Sequence, residues 1–449
     1  MKTKRETFMY SLLEFKEIEK RLEQRAREGW RLKKAGSFFW TFEEADPKQV
    51  HYSVVFFPKT DVLEPEPSDS LVMMREYCER TGWKLVAEQG QMQIFCNEEE
   101  NPIPIETEAW VQVKNIHETM KKGNVLSYGI LLVNAVIQLV LQVMQFVASP
   151  LDWLCMGFNF YIIWSWVGLG VGCAVELIHY FVWHKKAKRM AEEEEVLYLP
   201  KSICAFRIAY LTLAMVALVL AVLAIVDFTT AKYGVFVILW TVVLIGIPLG
   251  ASRLFKKWKV SAKWNRVFII LLAIACSVGM VVVVFKSVAN DSDFIFRRDE
   301  KSMLQLVDFR DVEASDLHGS SRRSDSLFLF REKAYQSERI EEGVDLSERS
   351  AMEYTILVVK QPFIYNFVKE ELMAEKARYI DKAFEDLSGY QKIDMSAWEA
   401  VEVYQYYDYE GEPENEYIVC YEDSILQIDF SWEVTEEDII KVKTAVLSE

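Results

Sequence analysis

The side chains best placed to do chemistry lie inside long apolar runs. Glu176 and His179 stand three residues apart in the run Met156–Trp183, so on a helix they share a face. A carboxylate beside an imidazole within a membrane could bind a proton or a cation, and an ionisable residue there is a functional candidate by default. The competing reading is an interfacial pair that orders a helical bundle. In the run Val125–Val147, Asn134, Gln138, Gln142 and Gln145 recur at i, i+4, i+8 and i+11, a polar stripe within about 80° of one helix face. Gly168 and Gly172 precede Glu176 with the spacing that lets helices approach closely. These two faces are predicted to pack together, Asn134 and Gln138 opposite Gly168 and Gly172. Glu176 would then lie roughly 12 Å toward the cytoplasm, nearer Ser127 and Tyr128. Glu-x-x-His without further ligands is not a metal motif, and the chain has only 5 His. No metal and no cofactor is expected.

The elements that must hold these residues are membrane spans. A bilayer core needs about 20 apolar residues in a helix. Five stretches qualify: Val125–Val147, Met156–Trp183, Ile208–Val226, Tyr233–Gly250 and Val267–Phe285. Trp153, Trp164, Trp183, Trp258 and Trp264 fall at or near their ends, as interfacial aromatics do. Six basic residues (Lys185, Lys186, Lys188, Arg189, Lys201, Arg207) follow the second span and six (Arg253, Lys256, Lys257, Lys259, Lys263, Arg266) follow the fourth, whereas the alternate loops hold only Lys232. The positive-inside rule puts the basic loops in the cytoplasm. The N-terminus is then cytoplasmic and the C-terminus extracytoplasmic, in a multi-pass protein of the plasma membrane. Residues 1–110, 111–286 and 287–449 are expected as a cytoplasmic domain, a five-helix bundle and an outer domain.

Charge is unevenly placed along the 449 residues. Of the net −16, residues 287–449 carry −20, from 38 acidic and 18 basic residues, which leaves +4 for the rest. An acidic outer domain argues against nucleic acid as a partner and favours cationic or envelope ligands, the competing reading being the solubility of an exposed domain. Of the 7 Cys only Cys420 lies in that domain, so it has no internal disulfide. Disulfide-poor envelopes of Gram-positive kind fit this usage. The charged opening Met1–Arg27 is no cleaved signal peptide.

The first 110 residues repeat themselves. Thr7–Leu13 reads as a strand, Glu17–Glu28 as a helix ended by Gly29 in a left-handed cap, and Trp30–Gly36, Phe38–Phe42 and His51–Phe57 as strands. Arg27-Glu-Gly-Trp-Arg-Leu leads after ten further residues to Phe42, and Arg80-Thr-Gly-Trp-Lys-Leu after ten further residues to Phe95. A helix followed by a hairpin, twice over with a leading strand, suggests one antiparallel sheet with helices on one face, an α+β sandwich of ferredoxin-like kind. Gly29, Trp30, Gly82 and Trp83 are the structural corners. Each Trp is expected to pack helix onto sheet, the competing role being a ligand platform.

These residues carry a resemblance. The run Glu17-Ile-Glu-Lys-Arg-Leu-Glu-Gln-Arg-Ala-Arg-Glu-Gly-Trp-Arg-Leu, then Phe42, Glu43, Pro47 and Tyr52, then Gly82-Trp83-Lys-Leu with Glu88 and Ile94-Phe95, resembles the bacterial domain of unknown function 2812. The likeness covers roughly the first quarter of the chain. It implies a membrane protein of Firmicutes in which this domain precedes transmembrane helices, and it supplies no reaction.

Residues 106–124 are expected as a helix continuous with the first span. Beyond the bundle, Ala314–Asp325 reads as a polar loop, Leu327–Phe330 and Glu353–Val359 as strands, and Phe363–Leu387 as a long helix. Val401–Tyr407 reads as an edge strand, Glu416–Tyr421 and Ile425–Trp432 as a hairpin, and Thr435-Glu-Glu-Asp438 as a capping box opening the last helix. Tyr404, Tyr406, Tyr407 and Tyr409 beside Asp408, Glu410, Glu412 and Glu414 could meet a cationic or saccharide ligand. No phosphate loop, dinucleotide turn, Gly-x-Ser-x-Gly elbow or His-Glu-x-x-His occurs. The chain is therefore expected to be a non-enzymatic sensor or regulatory protein coupling the outer domain to a cytoplasmic protein partner through residues 1–110. The alternatives are an accessory subunit of a transporter or a small transporter.

Overall fold

Ser11 and Glu14 start the first helix of the chain. The Ser11 hydroxyl accepts from the Leu13 N–H, and the Glu14 carboxylate reaches back to the Ser11 N–H at 2.7 Å. This capped turn occupies part of what reads in sequence as a strand over Thr7–Leu13, because a serine that bonds its own backbone favours a helix start over a ladder. The strand itself lies earlier, at Thr3–Thr7 (β1).

The computed structural model describes residues 2–7, 10–36, 39–58, 66–193, 195–228, 246–247, 250–251, 253–255, 257–290, 302–313, 317–338, 350–377, 388–394 and 396–447. Contacts divide these into two units. The first takes residues 1–139, 164–217 and 239–282; the second takes residues 140–163, 218–238 and 283–449.

In the first unit, β1 is followed by α1 (Phe15–Arg27), β2 (Trp30–Lys34), β3 (Phe39–Glu44), β4 (His51–Phe56), α2 (Asp69–Arg80), β5 (Lys84–Gln89) and β6 (Met92–Asn97). The strands form two antiparallel sheets of three, β1-β3-β2 and β4-β6-β5. The repeat is therefore β-α-β-β, twice over, and the single ferredoxin-like sheet expected from the sequence is not formed. Each leading strand pairs with the returning strand of its own repeat, so the ladders close within repeats. Both hairpins carry one extra residue at the matching place, Lys33 and Val86, each three positions after its corner tryptophan.

Gly29 and Gly82 both adopt left-handed backbone, φ +83° and +85°. At the second corner the Trp83 N–H bonds the Cys78 carbonyl and the Gly82 N–H bonds that of Glu79, the paired bonds that close a helix with a glycine just past its end. Alternation along the strands then sorts the core. Tyr52, Val54, Phe56, Met92 and Ile94 join Ile18, Leu22, Ala26, Trp40 and Phe42 around α1, while Val55, Phe95 and Trp83 turn to the other side and meet Cys78 of α2.

α3 (Ala109–Met120) continues through a π-helical turn, Lys121–Val125, into α4 (Leu126–Ala148). A short α5 (Pro150–Cys155) precedes α6 (Gly157–Glu193), and α7 spans Cys204–Phe228. Among the described residues three helices, Ala109–Ala148, Gly157–Glu193 and Cys204–Leu223, are long and apolar enough to cross a membrane. The expected fourth span, Tyr233–Gly250, lies outside the described residues save for 246, 247 and 250. The fifth falls in α8 (Ala262–Asn290).

In the second unit a seven-stranded antiparallel sheet runs in the order β10-β11-β12-β13-β9-β8-β7, with β7 Leu317–Asp325, β8 Leu329–Glu338, β9 Ala351–Val359, β10 Gly389–Ile393, β11 Glu402–Tyr407, β12 Pro413–Cys420 and β13 Ser424–Phe430. One face takes α9 (Tyr365–Ala377) through Val368 and Leu372, together with Leu151, Leu154 and Cys155 of α5. The other takes α10 (Glu436–Leu447) through Ile439 and Val442. The capping box that opens α10 forms as expected, Thr435 and Asp438 bonding reciprocally. The polar stretch read as a loop is instead the edge strand β7, paired with β8 over its whole length. Its Ser and Arg content hides the pattern, since Ser321 and Ser324 are buried and Arg323 pairs with the fully buried Glu332. The long helix expected to Leu387 is described only to Ala377, and 378–387 lie outside the described residues.

Candidate functional site

Glu176 finds its partners on α7. The Arg207 guanidinium donates to both its carboxylate oxygens, Nη2 to Oε2 at 3.2 Å, and the Tyr210 hydroxyl lies 3.5 Å from Oε1. The same guanidinium reaches the other way: Nη1 donates to Glu14 Oε2 at 2.8 Å. Glu14 closes the network by accepting from the Ser202 hydroxyl and, at 3.0 Å, from the Ile203 N–H. Glu14, Glu176 and Arg207 are 3%, 2% and 7% exposed, so the network is buried. It ties the capped turn before α1 to α6 and α7.

Two carboxylates around one guanidinium leave one negative charge in excess. The Ser11 and Ile203 backbone donors and the Ser202 and Tyr210 hydroxyls spread that charge over further hydrogen bonds. Burial alone would raise the Glu14 pKa, yet the bonds from Ser202, the Ser11 backbone and Arg207 hold it below the ordinary glutamate range. Breaking one member of such a buried set costs about 3–5 kcal/mol, because a charge is left unpaired away from water.

The other residues expected at this site are dispersed. His179 is half-buried, and its Nδ1 has no hydrogen-bond partner among the described residues; Glu176 and His179 do not form a pair. Asn134 and Gln138 are half-buried, without a side-chain hydrogen bond among the described residues, and Gln142 accepts instead from the Trp153 indole at 2.9 Å. The glycine face meets α7 rather than the polar stripe of α4. A Cβ built at Gly168 would lie 3.5 Å from that of Ala214, and one at Gly172 would run into the Tyr210 ring. α4 approaches α6 elsewhere, Ala135 against Gly170 at 3.4 Å. The reason is electrostatic: Gly168, Gly172 and Glu176 share one face, and the helix that brings a guanidinium to Glu176 takes that face.

Sequence reasoning missed Glu14 and Arg207. Arg207 reads as one of six loop cations, although it stands directly before an apolar run at the depth of Glu176. Ser11-Leu-Leu-Glu14 is a capping-box signature, but nothing in it announces a second partner 193 residues away.

At the corners, Trp83 is 4% exposed and donates its indole N–H to the Ile103 carbonyl at 2.8 Å. Trp30 is half-buried with the Lys4 ammonium 5.9 Å from its ring centre. Both pack helix to sheet. In the second unit two of the four tyrosines are engaged within the domain, Tyr406 meeting Tyr390 edge-on at 5.4 Å with Lys376 Nζ 3.7 Å over its ring and Tyr404 donating to Glu402, while Tyr409 is exposed. β11 is not an edge strand, since β10 flanks it.

Residues 14–126 match the model of a family described as "Protein of unknown function (DUF2812)". The match begins at Glu14 and ends where α4 begins. No curated protein and no solved structure matches the chain.

Proposed function

We propose that this is a non-enzymatic membrane regulator in which displacement of α6 against α7 is handed to the tandem β-α-β-β domain. The Glu14–Arg207–Glu176 network is the observation that carries this reading. A buried guanidinium shared between two carboxylates has one good geometry, so helices and domain shift together or the network breaks. The strongly asymmetric basic residues support a plasma-membrane protein with residues 1–110 in the cytoplasm and residues 287–449 outside. In that topology the acidic outer domain meets the envelope signal, a cationic or envelope ligand, and residues 1–110 meet a cytoplasmic protein partner.

Photo-crosslinking from intact cells tests it, with the crosslinking group placed in residues 1–110 of wild type and of Arg207→Met. The reading expects a cytoplasmic regulator captured by wild type and lost or altered in the variant. Capture of a permease through the spans, unchanged by Arg207→Met, would make the protein a transporter subunit instead.

A further inference from the structure

A second junction in the first unit is built from aromatic rings. His117 of α3 lies ring to ring with His184 of α6, centroids 3.9 Å apart and planes 16° apart. Its Nδ1 is 2.7 Å from the Tyr180 hydroxyl, one turn before His184. The Tyr180 ring runs nearly parallel to both imidazoles, its centroid 6.1 Å from each. A phenol donates readily, so Nδ1 of His117 is the acceptor and its proton sits on Nε2.

The stack stands where the domain meets the helices. Val113, Ile116 and Met120 of α3 and Tyr180, Trp183 and Ala187 of α6 all belong to the core around α1. The charged groups facing the imidazoles are Lys121 and Glu118 from α3 and Lys188 from α6. The segment packed on Trp183 presents a backbone carbonyl, that of Tyr198, whose ring is covered by Lys186. One carboxylate therefore stands against two nearby ammonium groups.

We infer that the His117–His184 stack is a proton-operated clasp between α3 and α6, closed when the imidazoles are neutral and opened when both are protonated. Two imidazolium ions cannot stay stacked beside Lys121 and Lys188, and a proton on Nδ1 of His117 removes the acceptor for Tyr180. The open joint thus binds more protons than the closed one, so a fall in pH favours opening. With an ordinary imidazole near 6.5 in the open joint, the closed form is fully favoured above that value and loses ground as pH falls below it. This inference is independent of the regulatory reading above, because it concerns only the joint.

Hydrogen exchange on the full chain in nanodiscs, at about pH 7.5 and about pH 5.5 and corrected for intrinsic exchange, tests it. Protection of 113–120 is expected to drop in wild type by up to about tenfold for each histidine that takes up a proton on opening, the ceiling set by ending about one pH unit below an ordinary imidazole. His184→Phe keeps a stacking ring, His117→Gln keeps an acceptor for Tyr180, and each leaves one titratable imidazole, so each is expected to make that drop clearly smaller than in wild type. Arg207→Gln is expected to lower protection at both pH values without changing the ratio between them. Equal protection of the wild type at the two pH values, or an undiminished drop in both His184→Phe and His117→Gln, would overturn the clasp.

Discussion

The two β-α-β-β repeats agree in strand order, in their left-handed corner glycines and in the position of a one-residue bulge, yet they differ at the start of the helix. α1 opens with Ser11 and Glu14, and the carboxylate that completes the cap also grips Arg207. α2 opens with Ser68 alone, and Leu71 stands where the capping carboxylate would be. The faces differ to match: α1 buries Phe15, Ile18, Glu19, Leu22 and Ala26, whereas α2 buries only Leu71 and Cys78 and exposes Val72, Met73 and Tyr77. One repeat is anchored to α6 and α7 through its capping carboxylate, and the other packs a helix on its own sheet and leaves much of that helix exposed.

Arginine substitutions would break this comparison most sharply. Arg207→Met should destabilise the first unit by about 3–5 kcal/mol, since it strands two buried carboxylates. Arg75→Met in the second repeat removes bonds to the buried Gln93 amide oxygen and to an exposed Glu88, a smaller change of about 1–3 kcal/mol because one neutral acceptor and no buried charge is left unpaired. Denaturant unfolding of both variants in detergent should rank them so; equal losses would erase the anchor. Next comes packing. Leu22→Ala should cost about 2–5 kcal/mol, and Met73→Ala, at 69% exposure, should stay within about 0.5 kcal/mol.

Corner substitutions sharpen the likeness instead of the difference. Gly29→Ala and Gly82→Ala place a side chain in left-handed backbone, and each should cost about 1–2 kcal/mol. Built Cβ atoms would also meet the Ala45 carbonyl oxygen at 3.1 Å and the Asn97 amide at 3.0 Å. Thermal unfolding that moves for one corner only would end their equivalence. The smallest effect is acid sensitivity. Because the Glu14 pKa is lowered on folding, its contribution is complete above the unfolded value near about 4.3 and fades as pH falls through the lower folded one. Glu106 behaves oppositely: burial raises it despite its bond from Asn115, so deprotonation above the unfolded value weakens the fold. Unfolding curves of Glu14→Gln should show a smaller loss of stability on acidification than those of wild type.

What the sequence made legible was local. Gly-Trp corners, the capping box at Thr435, and the apolar runs all follow from spacing within one element. Periodicity also put Asn134, Gln138 and Gln142 on one side of α4, but a shared face does not name the neighbour, and Trp153 rather than α6 met Gln142. The functional geometry is assembled at long range. Glu14 meets Arg207 across 193 residues, and His117 meets a ring on a part of α6 that continues past Trp183 to Glu193, beyond the expected span. Lys33 and Val86 went unseen as bulges because an extra residue in a hairpin leaves the alternation of its flanks intact on both sides.

The most direct test of the anchor is a double-mutant cycle between Glu14→Gln and Arg207→Met, read as unfolding free energies of the full chain. The account predicts a coupling of about 0.5–3 kcal/mol between the two positions, as for groups in one buried network. Effects that simply add, within about 0.3 kcal/mol, would show that the two side chains act independently and that the first repeat is not held by this network.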